Sequence, residues 1–195
     1  MFRYLSSIFL LLFAGCNLSK QQIKFPVPKN DDINAIIKAV VNQDTLAKDS
    51  TPLSVDLRKI RVVVPDSNLR LPSIFSHSVS ITSLIHSGTH QEGYFGKIDS
   101  LYLLFQNDTL RNFRFNKNLM SGIQLTSTNE QQPQSKRNYN ARFFDMSIPI
   151  FSLDQKTAYV QLDHIFPMCG AGFVLYLQKK NGEWKIVKSM MSWIN

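Results

Sequence analysis

Ile33, Ile36, Ile37, Val40 and Val41 recur at i, i+3, i+4, i+7 and i+8, which is one face of an α-helix. The spacing predicts a helix over 31–43, with Lys38 off the apolar stripe. Asn30 or Asp31 supplies the cap, and Asp32 suits the positive end of the helix dipole. A helix with one apolar stripe needs a surface to cover, and a sheet is the expected one. Beyond it the pattern becomes β-like. Residues 60–64 are a β-branched run closed by Pro65. Residues 73–86 read either as strand or as a short helix after Pro72. Residues 101–105 and 110–115 predict a hairpin around Asn107-Asp108, and residues 123–128 predict a further strand. The polar segment 129–140, with Pro133 inside it, predicts a surface loop.

The carboxyl end has the sharpest pattern. Asn181-Gly182 favours a two-residue hairpin, because both central positions of a type I′ turn need positive φ. Pairing outward sets Lys180 opposite Glu183, Leu177 opposite Ile186 and Phe173 opposite Met190. One face then gathers Phe173, Leu175, Leu177, Trp184, Ile186 and Met190, so turn register and burial register agree. A second hairpin joins residues 148–152 to 157–165 through Leu153-Asp154-Gln155-Lys156. Strands this close in sequence pair antiparallel. The expected fold is therefore α+β, an antiparallel meander ending in a hairpin and packed by the N-terminal amphipathic helix.

The start of the chain obeys another logic. Arg3 precedes an apolar run over 8–14, too short for the ~20-residue helix that spans a bilayer. This is the layout of a secretory signal. It ends in Leu12-Phe13-Ala14-Gly15-Cys16, which resembles the lipobox of bacterial lipoproteins, although Phe13 stands where that class prefers Leu. The resemblance implies cleavage before Cys16, a thioether-linked diacylglyceryl group on its sulfur, and a membrane or outer-membrane location. Residues 1–15 are then the signal peptide, 16–30 a lipidated tether and 31–195 one α+β domain. A polar, Pro-interrupted stretch of about 14 residues reaches roughly 45 Å when extended. Asn17 after the cysteine favours, by analogy, an outer-membrane anchor facing the periplasm.

Cys169-Gly170, Gly172, Asn181-Gly182 and Trp184 are similar to the end of uncharacterised lipoproteins of Bacteroidetes-type bacteria. Those often carry a second cysteine where this chain has Phe166. The resemblance brings no activity with it.

Composition narrows the partners. Lys and Arg number 22 against 14 Asp and Glu, a formal net charge of +8. That excess suits an anionic phospholipid or glycolipid, or an acidic envelope protein, and an exported chain does not meet nucleic acid. With Cys16 acylated, Cys169 has no partner for an internal disulfide.

Candidate chemistry is thin. Cys169 and His164 suggest a thiol and its base. Strand alternation puts His164 on the core side with Ala158, Val160 and Leu162, and turns Asp163 to the opposite side with Tyr159 and Gln161. Cys169 is expected to be a small buried hydrophobe. His86 and His90 have the i, i+4 spacing of a metal-binding helix, with His77 upstream, but Gly88 interrupts the segment. Asp44-Thr45, Asp49-Ser50, Asp99-Ser100 and Asp108-Thr109 resemble Bacteroidetes O-glycan acceptor motifs and equally well serve turns and caps. No catalytic, metal or cofactor residue is assigned, and no cofactor is expected. The expectation is a non-enzymatic binding or accessory module. The alternatives are a Cys169/His164 envelope enzyme and an inhibitor or immunity-type lipoprotein.

Overall fold

A computed structural model describes residues 24–43, 51–65, 77–85, 94–109, 113, 116, 118, 123–127, 142–166 and 169–194. Cys16 and the segment before it, His86, His90, Asp44-Thr45, Asp49-Ser50 and the 129–140 segment lie outside the described residues, as does most of 110–115.

The first helix, α1 (Asn30–Gln43), buries Ile33, Ile36, Ile37, Val40 and Val41 and leaves Lys38 exposed, as its spacing predicts. Two short strands follow, β1 (Leu53–Ser54) and β2 (Arg61–Val63). Next come β3 (Ser78–Ser80) and the single helical turn α2 (Ile81–Ile85), so the described part of 73–86 holds both alternatives in succession.

A 3-10 turn, Lys97–Asp99, leads into α3 (Ser100–Thr109), where a hairpin was expected. The reason lies in the burial pattern. Adjacent Tyr102 and Leu103 are both buried, with Gln106 one turn on, while Leu101 is exposed. That is a helical stripe; a strand would alternate. Asn107 does not serve a turn either. Its side-chain amide donates to the carbonyl of Val62 and accepts from the Val62 N–H, both at 2.8 Å.

The remaining strands are β4 (Leu125–Thr126), β5 (Phe143–Met146), β6 (Ile150–Phe151), β7 (Thr157–Ile165), β8 (Gly170–Lys180) and β9 (Glu183–Ile194). Seven strands form one sheet in the order β4-β1-β5-β7-β8-β9, with β6 also paired to β7. From β5 to β9 the pairings are antiparallel, as expected for hairpin-linked strands. The margin is different: β1 runs parallel to both β4 and β5, and β2 and β3 form a separate parallel pair. The fold is α+β with a mixed, mostly antiparallel sheet.

The Asn181-Gly182 turn has φ of 53° and 84°, the doubly positive geometry expected of it. Lys180 faces Glu183 and Leu177 faces Ile186. The pairing of Phe173 with Met190 is corrected to Phe173 with Met191. An irregularity between Tyr176 and Leu177 adds one residue to β9, and a second lies between Gly172 and Phe173. The slip sends Met190 to the opposite face and brings Met191 to the face of Phe173.

Two apolar clusters lie along the sheet. One joins the α1 stripe to Val160, Leu162, Leu175, Leu177 and Trp184. The other joins Ile60, Val62, Val79, Leu84, Phe95 and Leu103 to Ile150, Tyr159 and Tyr176. Alternate residues of β7 and β8 divide between them, which is the period-two logic of a strand covered on both sides. Gln43, in the last turn of α1, accepts from the Ile186 N–H and donates to the Trp184 carbonyl, each at 2.9 Å. Lys179 pairs with Asp32 at 2.6 Å.

Candidate functional site

Among the described residues, a cluster of buried polar side chains sits beside β7. Its Tyr159, Gln161 and Asp163 project to one side, as alternation requires, and the Asp163 side chain is only 9% exposed. Asp145 on β5 stands directly opposite Asp163, so two carboxylates share one rung on neighbouring strands. Arg58 reaches them from the segment before β2. Its backbone forms an isolated parallel bridge with Ser147: its N–H donates to the Met146 carbonyl at 2.9 Å, and its carbonyl accepts from Ile148 at 2.8 Å. Held there, its Nη1 binds Asp163 Oδ2 and lies 3.3 Å from Asp145 Oδ2, and its Nη2 reaches Gln161 Oε1 at 3.5 Å.

The network extends in both directions. Gln161 donates to the Tyr159 hydroxyl at 2.9 Å, and the Trp193 indole N–H donates to Asp163 Oδ1 at 3.1 Å. Gly172 makes room for that indole. A Cβ there would sit 1.8 Å from Trp193 Nε1 and 2.6 Å from Asp163 Oδ1. Gln161 is tied to Ser147 by two hydrogen bonds: its N–H donates to Ser147 Oγ, and its carbonyl accepts from the Ser147 N–H, both at 2.8 Å.

One guanidinium between two carboxylates leaves an excess negative charge in a poorly hydrated place. Burial raises the Asp145 carboxyl to about 6; Arg58 opposes the rise, and the charges of Asp163 and Asp56 add to it. Asp145 Oδ1 and Arg58 Nε are buried without a hydrogen-bond partner. His77, with φ of 49°, is held below the ordinary histidine range by burial and then by Arg58, against a smaller pull from Asp163. Burial also raises Tyr159, and pushes Tyr176, stacked on Tyr94 with centroids 4.5 Å apart, to about 12. Chemically the arrangement moves the titration of Asp145 up toward mild acid and locks the segment before β2 onto β5 and β7.

The expected candidates lie elsewhere. His164 is on the core side, as alternation requires; its ring stacks on Phe144 (centroids 4.2 Å apart) and meets Phe166 at a tilt (3.9 Å). Cys169 is a correction: the free thiol is exposed. It precedes the first residue of β8, so the burial pattern of the strand does not extend to it. Its carbonyl accepts from the Phe166 N–H at 2.9 Å, closing the turn between β7 and β8. Asp99 caps its own turn through Gly96 (2.7 Å) and binds the Leu153 N–H (2.8 Å), so this Asp-Ser pair does cap work. Among the described residues no three His, Cys, Asp or Glu side chains gather as a metal-binding group.

Sequence reasoning placed Asp163, Gln161 and Tyr159 on one side of a strand but missed Arg58, Asp145 and Trp193. The available signal was that polar row within a strand whose other side is apolar; nothing local pointed to Arg58. No family model, curated protein or solved structure matches the chain.

Proposed function

We propose that this chain is a bacterial cell-envelope lipoprotein, tethered through Cys16 and facing the periplasm. Its α+β body serves as a binding or accessory module, without catalysis of its own. The observation that carries the anchor is Leu12-Phe13-Ala14-Gly15-Cys16 behind a short apolar run with one basic residue before it. Two or three acyl chains, each methylene contributing about 0.8 kcal/mol on burial, hold such a body firmly to a bilayer. Among the described residues no helix is long and apolar enough to cross a membrane. The module reading is supported by how the interior charges are used: Arg58 is committed to Asp145 and Asp163. In this reading α1 covers the inner face of the meander, supported by its shared cluster with β7 and β8.

The anchor is tested by mass and flotation. The mature chain is expected to carry diacylglyceryl mass on Cys16 and to float with membranes, and Cys16→Ser to remain unprocessed. Normal processing of that variant sinks the proposal.

The exposure of Cys169 favours one second reading, an envelope enzyme using Cys169 with His164. Against it, the His164 ring is packed on two phenylalanines, Phe144 and Phe166. A nucleophile with its base gives thiol labelling that follows the titration of the imidazole and changes with His164→Gln. A module gives labelling that His164→Gln leaves unchanged.

A further inference from the structure

The register of the last strands lays out a surface that α1 leaves open. His164, Ala171 and Ile194 share one rung across β7, β8 and β9, and Leu162, Phe173 and Met191 share the next. All six lie on the side of the sheet where the α1 stripe packs, but the covered cluster runs through Leu162, Val160 and Leu175 toward Trp184. Toward the other end cover runs out. Met191 is 59% exposed and Ile194 73%, while Ala171 and Phe173 are half-buried. Phe166, packed at a tilt on His164, continues the ledge past the first rung, and the Arg142 guanidinium lies 5.5 Å over its ring.

Charge tells the two sides of this end apart. Asp145 and Asp163 belong to the same end of the sheet, yet alternation turns both to the opposite side, where Arg58 engages them. The ledge therefore pairs bare Met, Ile and Phe carbon with a cation and with neither of those carboxylates. The chain as a whole carries +8. An apolar strip with a guanidinium at its border matches the boundary between anionic headgroups and acyl chains.

We propose that the ledge of Phe166, Phe173, Met191 and Ile194, with Arg142 at its rim, docks the body against a phospholipid bilayer rich in anionic headgroups. The inference rests on the Cys16 anchor for proximity and on the ledge itself for orientation. Cys16 brings the body within reach of the surface; the ledge decides which way it lies.

The test uses the acylated full chain bearing Ile194→Trp, reconstituted in vesicles with brominated acyl chains. One set is phosphatidylcholine alone and the other contains phosphatidylglycerol. Bromine is expected to quench the added indole in the anionic vesicles. Arg142→Ala is expected to lower the docked-to-undocked ratio about fivefold. Adding Met191→Glu is expected to abolish quenching while the chain still floats with the vesicles. Equal quenching in both vesicle types, or none in a chain that floats, overturns the docking. So does concentration-dependent crosslinking of the chain without vesicles that Met191→Glu removes, which assigns the ledge to self-association. A chain that carries no acyl mass and does not float defeats the anchor alone, since quenching by added anionic vesicles still reads the ledge.

Discussion

Asp145 and Asp163 face each other across one rung with a single guanidinium nitrogen between them, and the consequence is a titration within reach of mild acid. The Asp145 carboxyl rises from 3.8 to about 6 on folding, chiefly through burial. The folded state therefore holds its proton more tightly than the unfolded chain does. This group's contribution to stability is full below pH 3.8 and is lost as pH rises through about 6. A shift of this size corresponds to roughly 3 kcal/mol between the two limits. Asp145→Asn is expected to flatten the fall in stability between pH 4 and pH 7, measured by urea unfolding at a series of pH values. An unchanged slope would assign the titration to another group. Gly172 makes a second residue-scale test. In Gly172→Ala the new methyl displaces the Trp193 indole and breaks its hydrogen bond to Asp163. The expected cost is about 1 to 3 kcal/mol, with a change in tryptophan emission. A variant matching the wild type in both would mean that the indole shifts freely.

At the scale of elements, carboxamides on helices fasten the edges of strands. Gln43 of α1 engages β9 at Trp184 and Ile186, and Asn107 of α3 engages β2 at Val62. Gln106 binds both the N–H (2.8 Å) and the carbonyl (2.7 Å) of Phe151 on β6. Each amide offers one donor and one acceptor, the same pair that a neighbouring strand would offer. Gln43→Ala is expected to cost about 1 to 2 kcal/mol and to speed amide exchange at Ile186. Exchange there unchanged from wild type would show that solvent replaces the amide without loss. These contacts also mark where reading from sequence stops. The α1 stripe, the 181–182 turn and the alternation of β7 are local periodicities, and they were legible. α3 was not, because its apolar run satisfies β propensity and only the burial of Gln106 against β6 selects the helix. The bulges in β9 follow from packing on two faces at once, so a register counted outward from the turn fails beyond Leu177. The charge cluster has the same cause: Arg58 meets Asp145 and Asp163 across separations of 87 and 105 residues.

Over the whole molecule, the sheet is shared by two apolar clusters. Trp184 belongs to the one with α1, and Trp193 reaches the charge cluster on the opposite side. Because the same strands, β7 and β8, supply both clusters, neither can dissolve while the other persists. Unfolding followed by tryptophan emission, in Trp184→Phe and Trp193→Phe separately, is expected to coincide with the loss of far-ultraviolet dichroism. Transitions separated along the denaturant axis would mean that the two sides come apart independently. The parallel pairings of β1 point the same way, since they place residues 53 and 54 between strands that begin at 125 and 143. Such distant partners are expected to close after the hairpins of the carboxyl end, because their loops are longer.

The two irregularities in β9 reach past the protein's own interior. A second molecule trying to extend the sheet from that border would need backbone donors and acceptors at even intervals, and the inserted residues put the spacing out of step twice in twelve. With Gln43 already plugging the stretch near the turn, the border is a poor template for fibril growth even when many copies are crowded together.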